Sequence, residues 1–215
     1  MEKSMAHHEI SVATIQRLPL YLDYLKSVEK DIEFISATTI AFSLGLGEVQ
    51  VRKDLASVSS SGKPKIGYNI HELISQLEDA LGYHHVNNAI IVGAGKLGCA
   101  LLGYEGFCRS GLEILEAFDS DQTKAGQYES GKPIYTVDAL PDFCRDKEVR
   151  IGIITVPGEH AQKVCDLLVE AGILAIWNFA PVRLDIPKNI IVKNENMASS
   201  LAVLSTSLAK KLREA

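Results

Sequence analysis

The chain has 215 residues, long for one small domain and comfortable for two. Hydrophobic residues make up 47% and charged residues 23%, the mix of an ordinary soluble globular protein. No run of about eighteen apolar residues occurs, so nothing reads as a membrane span. The net charge is −5, and Met1–His85 holds 8 Lys+Arg against 11 Asp+Glu. A nucleic-acid partner therefore has to be argued from local clusters.

His7, His8 and Glu9 stand where a signal peptide needs apolar residues, so Met1 to Ile10 reads as a short tail on a cytoplasmic protein. Cys99, Cys108, Cys144 and Cys165 are scattered without a CxxC pair and read as packing residues rather than redox sensors. His84 and His85 are adjacent and point apart on a helix, so no metal site is expected.

From Ser11 to about Lys30, Ile15, Leu18, Leu22, Leu25 and Val28 form one helical stripe, which Pro19 must kink or restart. Ser36 is a good N-cap for a second helix through Ile40 and Leu44, and Gly45-Leu46-Gly47 forces a turn. A third helix runs from about Glu48 to Val58 with Val51, Leu55 and Val58 inward. Residues 59–68 read as turns with short extended pieces. Asn69, with Glu72 three residues on, caps a fourth helix that carries Leu73, Leu77 and Leu81 and stops at Gly82.

The pattern then changes. Ala89–Val92 is a continuous apolar run, as in a strand buried on both faces. Similar runs recur at Leu112–Phe118, Val149–Thr155, Ile173–Phe179 and, more weakly, Ile190–Val192, with helices expected at Gly95–Cys108 and Glu159–Ala171. This alternation predicts a doubly wound α/β parallel sheet of Rossmann type. The expected domains are 1–85, 86–195 and a C-terminal helix, 196–215. That helix carries Leu201, Leu204 and Leu208 on one side with nothing downstream to pack against.

Gly93-Ala94-Gly95-Lys96-Leu97-Gly98 follows the first strand and opens a helix. Gly93 permits the tight turn, Gly95 lets a pyrophosphate approach bare backbone, and Gly98 lets helix and strand pack closely. The helix N-terminus adds free N–H groups and positive dipole. Asp119, about twenty residues on, suits a ribose diol and repels a 2′-phosphate, which favours NAD+/NADH over NADP(H). Strand, loop, helix and acid in register favour a dinucleotide over the alternative, a glycine turn that binds coenzyme A or a flavin. Thr155-Val156-Pro157 and Asn178 close later strands toward the same crevice, where Asn178 serves either the nicotinamide amide or its own turn. No substrate domain follows, and His160 is the single conceivable acid–base residue. The cofactor is therefore read rather than used, although a small NAD-dependent oxidoreductase with a helical accessory domain is the alternative.

The second and third helices have helix-turn-helix spacing. Gln50, Arg52 and Lys53, with Ser57 one turn on, suit bases and phosphates, and Lys63-Pro64-Lys65 suits a basic wing.

Taken together these segments resemble the Rex family of redox-sensing transcriptional repressors. The matching residues are Arg17-Leu18-Pro19-Leu20-Tyr21, Gln50-Val51-Arg52-Lys53-Asp54-Leu55, Gly67-Tyr68, Val92-Gly93-Ala94-Gly95, Tyr104-Glu105-Gly106-Phe107, Phe118-Asp119, Val156-Pro157 and Asn178-Phe179-Ala180-Pro181-Val182. The resemblance implies a winged-helix domain, a homodimer with the C-terminal helix swapped, and operator DNA that is released by NADH. It places Tyr104 and Phe107 near the nicotinamide and Arg17 in a switch network. The family usually has an Asp that pairs with this Arg and Tyr where the chain has Asn196, which leaves the switch weakened, re-poised or carried by Glu195. Aromatic-glycine pairs common before the wing are replaced by Val58-Ser59-Ser60-Ser61-Gly62.

Overall fold

The computed structural model describes residues 10–84 and 87–214, so the expected tail up to Glu9 and the His85 side of the histidine pair lie outside the described residues. The chain divides into two compact units, Met1–His85 and Val86–Ala215.

In the first unit, Ser11 caps α1 (Val12–Ile15) and α2 (Leu18–Val28) follows. Pro19 stands in the first turn of α2, where its missing N–H has no intrahelical acceptor, so it starts the helix rather than bending it. After β1 (Phe34–Ile35), the Ser36 hydroxyl accepts from the Thr39 N–H at the head of α3 (Ala37–Leu44). Gly45, at φ 64°, turns the chain into α4 (Glu48–Val58). β2 (Tyr68–Asn69) pairs antiparallel with β1 and leads into α5 (Ile70–Leu81), capped by Asn69 and ended by left-handed Gly82. Leu18, Tyr21, Leu25, Ile40, Val51, Leu55, Leu73 and Leu77 make the core. Lys63 and Gly67 exchange backbone hydrogen bonds of 2.9 Å and close a tight wing. A Cβ on Gly67 would stand 2.3 Å from the Ile35 carbonyl oxygen, so only glycine lets the wing lie against β1.

The second unit runs β3 (Asn87–Val92), α6 (Lys96–Leu102), a 3-10 turn (Glu105–Ser110), β4 (Leu112–Asp119), β5 (Tyr128–Glu129), β6 (Lys132–Thr136), α7 (Leu140–Asp146), β7 (Ile151–Ile154), α8 (Gly158–Glu170), β8 (Ala175–Asn178), β9 (Ile191–Asn194) and α9 (Met197–Glu214). The sheet order is β5-β6-β4-β3-β7-β8-β9, parallel except for β5 at the edge. This is the doubly wound arrangement, with its direction of winding reversing between β3 and β7. Ile90 and Val92 pack in one cluster and Ala89 and Ile91 in another, which is why β3 reads as an unbroken apolar run.

Two expectations change. The helix expected over Gly95–Cys108 stops at Leu102. A Cβ on Gly103 would meet the Ser130 hydroxyl at 2.3 Å, and Tyr104 is extended, so the chain re-enters as a 3-10 turn. β5, β6 and α7 were not expected. Lys132, Pro133, Tyr135 and Thr136 carry no apolar run, because these strands form the outer margin of the sheet.

Candidate functional site

The β3–α6 turn is shaped by its glycines. Gly93 has φ 111°, and a Cβ on Gly98 would stand 2.0 Å from the Gly93 carbonyl oxygen. Gly95 faces open space, as a bare-backbone approach to phosphate requires. The Thr155 hydroxyl, at the end of β7, donates to the Gly93 carbonyl at 2.7 Å and pins the turn across the switch point. Beside it opens a cleft of about 410 Å³ lined by Gly93, Gly95, Asp119, Lys124, Thr155, Val156, Pro157, His160 and Lys163 among others. Lys96 and Leu97 are exposed in the first turn of α6, while Ala94 is buried.

Asp119 is buried and its carboxylate is occupied. It accepts the Ala94 N–H at 2.9 Å, the Asp121 N–H at 2.9 Å and the Lys124 ammonium at 2.7 Å. Burial alone would push its pKa up, but Lys124 and the two N–H groups outweigh this and hold it below the ordinary carboxylate value. The cleft thus presents an ion pair rather than the lone carboxylate expected from the spacing. Lys124 and Lys163 were missed. The signal for Lys124 was its position five residues after the acid; nothing in the sequence marked Lys163.

Asn178 stands apart from this cleft. It is fully buried, its amide donates to the carbonyl oxygens of Ala180 and Val182 and to Asn194, and its oxygen accepts the Ala180 N–H. Of the two roles open to it, the structure favours holding its own loop. Tyr104, 60% exposed, meets Phe107 edge-on at 4.8 Å, and Phe107, Trp177 and Phe179 continue an aromatic chain. The Trp177 indole donates to Glu195 at 2.9 Å, and Asn196 accepts the Ser199 N–H at the head of α9. Each therefore has a local partner. No residue of α9 is buried, and Met197, Leu201, Leu204 and Leu208 are bare.

In the first unit Gln50, Arg52, Lys53 and Ser57 are exposed on α4, and Lys63 and Lys65 on the wing. A groove of about 390 Å³ lies between the wing and the head of α3, with Ser36, Thr38, Arg52, Lys63 and Lys65 in its walls. Arg52 pairs with Glu48 one turn back. Gln50 is exposed, but its carboxamide is engaged sideways by Arg17. Its carboxamide, oriented to satisfy both groups, accepts from Arg17 Nε at 2.9 Å and Nη1 at 3.1 Å. Ser57 donates to the Asp54 carbonyl.

The most consequential group here was not singled out from sequence. Asp54, 4% exposed, accepts from Arg17 Nε at 2.7 Å and Nη2 at 2.8 Å, from the Tyr21 hydroxyl at 2.7 Å and from the Thr14 hydroxyl at 3.1 Å. Burial opposes its charge, yet Arg17, Tyr21 and Thr14 together hold its pKa below the ordinary value. Tyr21, desolvated and donating to Asp54, is pushed up to about 12. Arg17 thus has a partner on α4 itself.

A family model described as "CoA binding domain" matches residues 84–182, and one described as "Putative DNA-binding protein N-terminus" matches residues 9–56. A redox-sensing transcriptional repressor Rex of Treponema denticola is 41% identical over 96% of this chain and 100% of its own. That of Bacteroides thetaiotaomicron is 40% identical over 91% of this chain and 89% of its own. This chain belongs to the Rex family of redox-sensing transcriptional repressors. Rex-family proteins are regulators rather than enzymes. A solved Rex-family repressor, RSP in complex with NAD+ and operator DNA, is 34% identical, covers 99% of both chains and superposes with a TM-score of 0.86. RSP in complex with NADH is 34% identical, with a TM-score of 0.84 over 94% of this chain and 96% of its own. Among the described residues no group of His, Cys, Asp and Glu could hold a metal, and no helix is long and apolar enough to cross a membrane.

Proposed function

We propose that this Rex-family chain holds operator DNA on α4 and the Lys63–Gly67 wing, and lets go when NADH replaces NAD+ at the Gly93–Gly98 turn. The observation that carries the reading is the cleft at the carboxyl ends of β3 and β7, in a chain whose other unit has a helix-turn-helix and a wing. RSP, which shares this fold, is known both with NAD+ and operator DNA and with NADH.

Residues 1–85 form the DNA-binding domain, 86–195 the cofactor domain, and 196–215 the dimerisation helix. Gly93, Ala94, Gly95, Lys96, Leu97 and Gly98 hold the pyrophosphate at the turn. Asp119 with Lys124 takes the adenosine ribose, Thr155, Val156 and Pro157 form the opposite wall, and Tyr104 and Phe107 meet the nicotinamide. Asn178 acts only by fixing the loop after β8. Arg52, Lys53, Lys63 and Lys65 engage the duplex. Gln50 and Ser57 act from the flank of α4. The bare face of α9 is covered by a second copy in a homodimer, by exchange of this helix. A repressor reading the NADH/NAD+ balance works in the cytoplasm.

A ligand moves a two-state equilibrium only as far as it binds one state better. NAD+ and NADH differ by one positive charge on the nicotinamide, and Arg17, Tyr104 and Asn196 form the switch that senses it. Arg17 bound to Asp54 is one state of that switch.

The test is retardation of a palindromic operator fragment by full-length protein with each cofactor added. NAD+ leaves the complex intact and NADH dissolves it; equal retardation overturns the redox switch. Arg52→Ala/Lys53→Ala abolishes retardation and leaves NADH binding, followed by fluorescence, unchanged. Coenzyme A belongs in the same titration. It shares adenosine and pyrophosphate with NAD+, and binding of coenzyme A in place of NADH would reassign the cleft.

A further inference from the structure

We infer that Val49 reads the methyl group of a thymine in the major groove, and so helps set which operator this chain prefers. The inference rests on the reading of α4 as the recognition helix.

A helix turns about 100° per residue. Val51, Asp54 and Leu55 are buried and fix the inner face of α4. The side chains nearest the opposite face are Val49, Lys53 and Ala56, all exposed. Gln50 and Ser57 lie on one flank, where Gln50 is drawn onto Arg17 and Ser57 bonds back to its own helix. Arg52 lies on the other flank, beside the wing groove and paired with Glu48. The outward face therefore carries one cation between two apolar side chains.

A single exposed hydrophobe is ordinary on a protein surface. Position sets Val49 apart. It is 64% exposed, sits in the first turn of α4, and shares a face with Lys53 one turn on. Helix-turn-helix proteins reach base edges from that end of the recognition helix. The thymine C5-methyl is the apolar group that the major groove displays, and small apolar side chains pair with it. Lys53 beside Val49 supplies charge to bring the duplex in, with Arg52, Lys63 and Lys65 together on the wing flank.

The experiment selects a bound duplex from a random pool with full-length protein, then replaces its thymines singly by deoxyuridine, which removes the methyl and nothing else. Wild type should weaken about fourfold at one thymine per half-site, the worth of one buried methyl-sized group. Val49→Ala should lose that penalty and keep every other one; its exposed position spares the fold. The inference is overturned if no deoxyuridine weakens wild type, or if Val49→Ala shows the same penalties. The Arg52→Ala/Lys53→Ala pair in the same assay separates the two levels. If it binds as wild type does, the reading of α4 fails and takes this inference with it. If it loses binding while Val49→Ala keeps every penalty, only this inference falls.

Discussion

Asp54 and Asp119 are both buried carboxylates, one in each unit, and both stay charged below the ordinary carboxylate pKa. They are held in different ways. Asp119 is fixed by two backbone N–H groups and by Lys124 five residues on, a mostly local arrangement at the end of a strand. Asp54 is fixed by side chains from about forty residues upstream, which tie α4 to α1 and α2. The difference teaches that the Asp119 cradle is set mostly by the turn that follows it, with one N–H from the β3–α6 turn, whereas the aim of the recognition helix depends wholly on tertiary contacts. Such a contact can be broken without touching a DNA-facing residue.

The largest effect should come on the local side, at Gly98. Gly98→Val drives its side chain into the Gly93 carbonyl and should weaken NADH binding about a hundredfold, read by fluorescence titration. Normal affinity would mean that the turn is not where the pyrophosphate sits.

Asp54→Asn comes next. It removes the charge from a site that faces Arg17, Tyr21 and Thr14, and should cost the first unit about 2 kcal/mol in urea unfolding. An effect confined to NADH affinity, with the stability of the first unit unchanged, would reverse the comparison.

Asp119→Asn should cost less, about tenfold in NADH affinity. It frees Lys124 from its partner, so NADPH should gain relative to NADH, and a loss of both in equal proportion would count against the ribose assignment.

The pH dependence is the smallest effect and has a defined sign. Carboxylates whose folded pKa is lowered contribute stability that is fully present above the unfolded value of about 3.9 and is lost as pH falls through the folded one. Acid unfolding of wild type should begin below about pH 4, and Asp54→Asn should flatten the first unit's share of it. Tyr21, raised to about 12, contributes below its unfolded value of about 10, and that contribution is lost as pH rises toward 12. Tyr21→Phe should lack this alkaline step in a thermal melt series.

Much of the fold was legible because its signals are local. Ser36 and Asn69 cap the helices that they precede, Gly45 and Gly82 end helices in left-handed conformation, and Pro19 starts one. The runs at β3, β4, β7 and β8 mark strands covered on both sides. The strands β5 and β6 escaped because a sheet margin needs no such run, and the break at Gly103 escaped because Ser130, its neighbour, is distant in sequence. In the cleft, spacing identified Gly93, Gly95, Gly98 and Asp119, while Lys163 on α8 entered only through folding. On α4 the period identified an exposed face, but which flank Arg17 would draw on was not a property of that helix alone.

From the order of its residues alone, this chain determines its caps, its glycine turns, its two patterns of burial and its family, since each is set by groups a few bonds or one helical turn apart. Tertiary structure decided that Asp54 anchors α4, that Gln50 is drawn onto Arg17, that Asn178 serves its loop and that Lys163 reaches the cleft. Those outcomes depend on which side chains packing brings within hydrogen-bond distance, and in a low-dielectric interior a charged or polar group must take the partners that packing supplies.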